Sequence, residues 1–111
     1  MTPKRKEEMI RRCALGGRVR WSSHSIGKLV LDRLSAQAVA QALTTCELIE
    51  DYPILTRHLP DCLVLGWLAD ALPVHAVAGL DESKDEILVI TVYRPKKEEW
   101  SDDFKTRRRK T

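Results

Sequence analysis

Three apolar runs in the second half of the chain constrain its fold more than any other feature. Each has the length of a β-strand and is rich in Val, Leu, Ile or Ala: CLVLGWLA (62–69), PVHAVAGL (73–80) and EILVITVY (86–93). Only the short turns ADALP and DESKD separate them. Strands joined this closely pair antiparallel, and CELIEDY (46–52) is a shorter candidate strand.

The first half of the chain has helical patterns instead. Apolar residues recur there at helical spacing in three segments, and residues that commonly cap helices bound each segment. Gly16-Gly17 ends the first segment, and serines begin the other two. We expect helices over residues 4–15, from Ser22 or Ser23 to about Leu34, and from Ser35 to about Cys46, with RVRW (18–21) as a short strand.

Helices that precede strands are typical of an α+β fold. We predict N-terminal helices packed on one face of an antiparallel sheet of about four strands. At 111 residues the chain is long enough to bury one core. The expected division is a basic N-terminal helix or arm over 1–17, a single α+β domain over 18–100, and a charged C-terminal tail or short helix over 101–111.

Cysteine usage and hydropathy indicate the compartment. The chain has three cysteines, an odd number, and its N-terminus has no continuous apolar run of the kind found in secretory signals. No stretch approaches the roughly 18 apolar residues of a membrane span. We therefore expect a cytoplasmic protein that does not interact with membranes.

Charge is distributed unevenly along the chain. Residues 1–20 carry seven Lys or Arg against two Glu, residues 21–95 carry five against ten acidic residues, and residues 96–111 carry seven against four. Basic ends of this kind can hold nucleic-acid phosphates. They can equally be solvated segments that keep the protein soluble, and both interpretations remain open.

One cation is unexpectedly placed in the second predicted helix. Ile26, Leu29 and Val30 form an apolar stripe at helical spacing, and Arg33 falls back onto that stripe. Arg33 therefore either escapes to solvent at the helix end or pairs with a carboxylate or a bound phosphate. His24 lies where the same helix begins. If it lies in the first turn, this position favours a neutral imidazole that can accept a proton, and the alternative is an exposed residue of the cap region.

A second histidine lies within a predicted strand. His75 alternates with Val74 and Ala76, so it is expected on a sheet face close to Tyr93 or to Arg94, depending on strand register. Imidazole, phenol and guanidinium groups can carry out acid–base chemistry and stabilise phosphate without a metal. We expect Arg94 and Lys28 to contribute to binding. The alternative is that His75 is a structural residue.

Metal and cofactor sites are not expected. Cys46, His58 and Cys62 offer only an H-x3-C spacing, with no C-x2-C pair and no clear fourth ligand. The glycines are too scattered for a phosphate-binding loop.

Several blocks of the sequence together resemble one family. VRWSSHSIGKLVLDRLSAQAVAQAL, CELIEDYP, CLVLGW, PVHAVAGLD and ILVITVYRP followed by a Trp resemble, in this order, the bacterial domain of unknown function numbered 4258. The resemblance covers residues 18 to about 100. That family looks like a relative of the RelE and BrnT toxins, which are small α+β proteins that cut RNA without metal.

The resemblance implies that His24, Arg33, His75 and Tyr93 occupy recurrent polar positions of the family. We therefore expect a RelE-like fold and two alternative functions. The first is a toxin-like endoribonuclease that acts on RNA or on the ribosome. In it one histidine deprotonates a 2′-hydroxyl, the other protonates the leaving oxygen, and Arg33 or Arg94 stabilises the phosphate.

The second alternative is a non-catalytic module that binds an antitoxin-like protein partner, through a sheet edge or its terminal helix. Self-association is compatible with either function. Clustering of the four polar residues in one open cleft would favour the nuclease, whereas dispersal or burial would favour the binding module.

Overall fold

The computed structural model describes residues 1–53 and 58–109. The chain forms three helices and a five-stranded sheet, and four of the five strands follow the last helix. In chain order the elements are α1 (Pro3–Leu15), β1 (Val19–Trp21), α2 (Ser23–Leu31), α3 (Ala36–Leu43), β2 (Glu47–Tyr52), β3 (Asp61–Trp67), β4 (Pro73–Asp81) and β5 (Glu86–Tyr93). The predicted α+β class with N-terminal helices is confirmed.

Side-chain caps begin all three helices. The hydroxyls of Thr2, Ser22 and Ser35 each accept a hydrogen bond from the amide three residues later, at 3.2, 3.0 and 2.9 Å. These contacts satisfy amides that have no partner within the helix. The start of each helix is therefore determined by its local sequence.

The second helix ends three residues earlier than predicted. Arg33 has a φ of 53°, and the amides of Arg33 and Leu34 donate to the carbonyls of Val30 and Leu29. This pattern is a Schellman motif, in which a residue in the left-handed region ends the helix. Arg33 therefore lies beyond the helix end with its side chain exposed.

The sheet differs from the prediction in strand number and direction. Its order is β1-β5-β4-β3-β2, and β1 pairs parallel with β5 while the other pairs are antiparallel. The expected antiparallel sheet of about four strands is thus a mixed sheet of five. The short strand β1 supplies partners to an edge of β5 that would otherwise be unpaired, as in the Ile87 amide donating to the Arg18 carbonyl at 3.1 Å.

Each face of the sheet is covered by a different part of the chain. The helix face packs against apolar residues of all three helices, including Ile10, Leu29 and Val39. The opposite face packs against Trp100 and Phe104 of residues 96–109, which we call the C-terminal strap. The strap folds back on itself through an antiparallel bridge between Trp100 and Arg107.

Side chains of α1 form hydrogen bonds with the backbone at the β2 edge of the sheet. On β2, the Leu48 amide donates to Glu7 of α1 at 2.8 Å, and Arg11 of the same helix donates to the adjacent Cys46 carbonyl at 2.7 Å.

On the opposite side of the sheet, the residues at the two ends of α2 bond to the backbone. Ser22 bonds to β5, and Asp32 bonds to Arg94. Edge groups that could pair with another strand are therefore already engaged at these positions.

None of the helices in the described part of the chain is long and apolar enough to cross a membrane.

Candidate active-site cleft around Tyr93

A β-bulge brings His75 and Tyr93 together. The pairing of β4 with β5 shifts between Val77 and Ala78, so Ile90 is an extra residue in β5. Val89 faces the helices, and strict alternation would place Tyr93 on that same face. The bulge reverses the alternation, so Tyr93 lies beside His75 on the strap face, with its hydroxyl 3.1 Å from His75 Nδ1.

His75 is fully buried beneath the strap. Its Nε2 lies 2.8 Å from the carbonyl oxygen of Phe104, and its ring meets the Trp100 ring edge-on at 4.4 Å between centroids. A carbonyl can only accept, so Nε2 carries the proton. Burial lowers the pKa of His75 below its usual 6.5, which favours the neutral ring.

The tautomer of His75 fixes the direction of the second hydrogen bond. With the proton on Nε2, Nδ1 of the neutral ring is an acceptor, and the Tyr93 hydroxyl donates to it. Burial raises the pKa of Tyr93 to about 12, so the phenol is protonated near neutral pH. Within residues 1–53 and 58–109 the Tyr93 hydroxyl has no other hydrogen-bond partner, so its oxygen can accept a hydrogen bond from a ligand.

Tyr93 lies between two adjoining clefts. The larger, of about 520 Å³, lies between the end of α2 and the residues that follow β5, and the smaller, of about 360 Å³, lies under the strap. Three cations and two carboxylates line the larger cleft together with Tyr93: Lys28, Arg94, Lys96, Asp32 and Glu99. Three of the predicted site residues, Lys28, Tyr93 and Arg94, are therefore brought together.

Arg94 joins α2 to the end of β5 and keeps one nitrogen free. Its Nε donates to the Asp32 carbonyl at 2.9 Å, and its Nη2 donates to the Arg33 carbonyl at 3.3 Å. Nη1 is buried and has no hydrogen-bond partner in the described part of the chain. A buried donor of this kind usually finds a partner, and an anion in the adjoining cleft would supply one.

The other two predicted residues lie apart from the His75–Tyr93 pair. His24 is exposed in the first turn of α2, with Nε2 3.1 Å from the Thr91 hydroxyl. Thr91 lies two residues before Tyr93 in β5. Arg33 points to solvent beyond α2. The four residues proposed for catalysis therefore do not form one open cluster.

The sequence did not indicate the role of Arg107. Its guanidinium donates two hydrogen bonds to Glu50, at 2.8 and 3.1 Å, and lies 4.8 Å from the centre of the Trp100 ring. Arg107 thus anchors the strap and lines the smaller cleft beside Tyr93. It belongs to a run of basic residues that resembles a tail, and no local pattern distinguishes it from its neighbours.

The cysteines are poor nucleophiles in this fold. Burial raises the pKa of both Cys46 and Cys62 to about 12, so almost no thiolate is present at neutral pH. In the described residues, no group of three or more His, Cys, Asp or Glu side chains is placed to hold a metal ion.

Comparison with protein families places the chain. The model of the family described as "Domain of unknown function (DUF4258)" matches residues 21–94. The chain belongs to this family. The matched DUF4258 region contains all six predicted site residues, whereas the strap that buries His75 follows it. Comparisons with curated proteins and with solved structures gave no match.

Proposed function

We propose that this DUF4258 protein is a cytoplasmic endoribonuclease of the RelE and BrnT type, a toxin whose reaction uses no metal. The observation that carries the proposal is the placement of Tyr93, which lines a cation-rich cleft while its hydroxyl donates to a buried neutral imidazole. A phenol backed by a hydrogen-bonded base is a suitable group for moving a proton.

The cations of the cleft would bind the RNA backbone. Lys28 and Lys96 supply positive charge at its wall, and Nη1 of Arg94 supplies a free donor. Contacts of this kind stabilise the negative charge that develops on phosphorus-bound oxygens during cleavage. Residues 21–95 are net acidic, but Lys28 and Arg94 of this segment line the cleft together with Lys96, against the two carboxylates Asp32 and Glu99.

The burial of His75 and the separation of His24 and Arg33 from it count against the two-histidine scheme, so the proposal rests on a different step through Tyr93. Because His75 is buried with both nitrogens engaged, it acts through Tyr93 and does not touch the RNA. The 2′-oxygen bonds to phosphorus and gives its proton to Tyr93, which passes its own proton to Nδ1 of His75. The bond from phosphorus to the 5′-oxygen breaks, and that oxygen takes a proton from water, leaving a 2′,3′-cyclic phosphate and a 5′-hydroxyl end. The hydroxide left by the water takes a proton from Tyr93, which recovers its own from Nδ1 of His75, so both groups return to their starting state.

A non-catalytic protein-interaction module is the second candidate. The burial of His75 and the separation of His24 and Arg33 from it favour this candidate, because all three then have structural or surface positions. It predicts a folded protein with no activity on RNA.

Cleavage of mixed single-stranded RNA in EDTA tests the proposal. Wild type should cleave, and Tyr93→Phe should slow cleavage by about 100-fold or more, since a positioned proton-transfer group contributes about that factor. Tyr52→Phe is the matched control, because Tyr52 donates to Glu50 on the same sheet face but does not line either cleft. It should change the rate by less than about threefold.

Three outcomes are informative. Loss of cleavage in folded Tyr93→Phe with cyclic-phosphate products supports the nuclease. Equal rates for the two tyrosine variants would contradict the role of Tyr93. No cleavage by wild type, either alone or with ribosomes, would contradict the nuclease and favour the interaction module.

A further inference from the structure

The outer side of α2 exposes an unusual amount of apolar surface. Ile26, Val30 and Leu31 are 52%, 77% and 73% exposed, although the helix has only nine residues. Ile26 and Val30 are separated by one helical turn and so form a continuous stripe. Leu29, which the sequence pattern places with them, is buried against the sheet instead.

Gly27 lies in the middle of this exposed side. A glycine inside a helix is less favourable than alanine because it loses more backbone freedom on folding. A Cβ atom added at Gly27 would meet no atom within 4 Å, so no contact in the described part of the chain requires a glycine. Close approach by another helix would require one, because it lets the two backbones come together.

The charges beside the stripe are positive. Lys28 and Arg33 flank it, and neither forms an ion pair in the described part of the chain. Asp32 and Glu99 line the same cleft as Lys28, and Asp32 is engaged by the amide of Arg94 at 3.0 Å. The surface therefore combines an apolar stripe with unpaired positive charge.

We propose that the outer side of α2 binds an amphipathic helix of another protein whose apolar stripe is flanked by Asp or Glu. A helix fits because ridges of side chains spaced three and four residues apart pack into the groove over Gly27. Acidic flanks fit because they complement Lys28 and Arg33. A second copy of the chain fits less well, since it would bring the same cations together.

Strand addition is a less suitable mode of binding for this protein. Glu7 and Arg11 engage backbone groups at the outer edge of the sheet, and α2 itself engages the backbone of β5. A partner strand at these positions would have to displace these contacts. The proposed surface requires no displacement and does not depend on the nuclease activity.

A designed peptide pair provides the test. One fluorescent peptide of about 20 residues carries Leu at helical spacing with Glu on both flanks, and its partner carries Lys at each Glu position. Fluorescence anisotropy should show binding of the Glu peptide that is at least about tenfold tighter than binding of the Lys peptide. Amide shifts in the NMR spectrum of the intact protein should map to residues 23–33.

Three variants distinguish the surface from its surroundings. Val30→Glu should weaken binding of the Glu peptide by at least about tenfold, whereas Leu15→Glu, at an equally exposed leucine of α1, should change it by less than about twofold. Gly27→Ala should raise Tm by about 4 °C because it stabilises the helix, and should also weaken binding.

Several results would overturn the proposal. These are equal affinity for the two peptides, no binding at millimolar concentration, or shifts that map away from α2. Sedimentation velocity tests whether a second copy of the chain occupies the surface instead. A wild-type dimer that Val30→Glu dissociates would assign the surface to that second copy.

Discussion

The surroundings of two polar residues, His75 and Arg33, differ from what their places in the sequence pattern suggest. His75 lies in an apolar strand, and one backbone carbonyl, that of Phe104, determines which ring nitrogen carries its proton. Arg33 falls on the apolar stripe of the helical pattern, yet its left-handed backbone ends the helix and leaves the guanidinium in solvent. A polar residue at an apolar position of the pattern is thus buried in the first case and exposed to solvent in the second.

Burial of His75 predicts that stability depends on pH. Its pKa is lowered in the folded protein, so the unfolded chain binds more protons near and below pH 6.5. The contribution of neutral His75 to stability is fully present above pH 6.5. It is lost as the pH falls through the pKa that His75 has in the folded protein. The free energy of unfolding should decrease by up to about 1.4 kcal/mol per pH unit in this window.

Urea unfolding between about pH 7.5 and 5.5 measures this dependence. His75→Gln should flatten the slope, because the titrating group is removed. His24→Gln is the matched control for removal of an exposed imidazole. An identical slope in wild type and His75→Gln would assign the dependence to other groups.

At the scale of elements, the C-terminal strap acts as the second cover of the sheet. It has no helix and only an isolated bridge, so side chains hold it in place: Trp100 and Phe104 are 2% and 8% exposed, and Arg107 pairs with Glu50. Without the strap, His75 would face solvent. The strap therefore sets the environment of the candidate site even though it follows the matched family region.

Trp100→Ala should cost much more stability than truncation of another tryptophan. Removing this buried ring leaves a cavity over His75, and the free energy of unfolding should fall by about 3–5 kcal/mol. Trp67→Ala is the control, since Trp67 is 47% exposed and its ring lies edge-on to Phe104 with 6.2 Å between centroids. Chemical denaturation should show a loss below about 1.5 kcal/mol for Trp67→Ala; similar losses for both variants would contradict this role of the strap.

For the whole molecule, the N-terminal basic segment is partly built into the fold. Lys6 is only 2% exposed, donates to Asp51 at 2.6 Å, and also donates to the Asp61 carbonyl at 2.9 Å. Arg12 pairs with Asp85 in the turn before β5. These cations connect α1 to the sheet, so the segment offers fewer free charges for phosphate than its composition suggests.

Lys6→Ala should destabilise the protein by about 2–4 kcal/mol. The substitution removes a buried cation and leaves Asp51, whose side chain is 23% exposed, without its partner. Lys4→Ala, at an exposed position of the same helix, should change the free energy of unfolding by less than about 0.5 kcal/mol. Thermal and urea unfolding of the two variants measure the difference, and equal stabilities would show that the buried pair contributes nothing.

The sequence by itself determined the elements of this protein. Cap residues such as Ser22 and Ser35 and the three long apolar runs depend on interactions within a few residues, and the helices begin and the long strands lie where these signals predict them. Both α2 and α3 end about three residues earlier than predicted. Family membership also followed from short blocks in a fixed order. The position of His75 on the same face as Val77 followed from alternation alone.

Only the tertiary structure decided which of these residues meet. The bulge at Ile90 places Tyr93 beside His75, yet no turn residue in the sequence marks it, because it arises from the pairing of two strands. The parallel pairing of β1, the burial of Lys6 and the strap over His75 likewise join residues far apart in the chain. Local signals determine where these helices begin and which segments form strands, whereas register and long-range packing determine the chemical environment of the side chains.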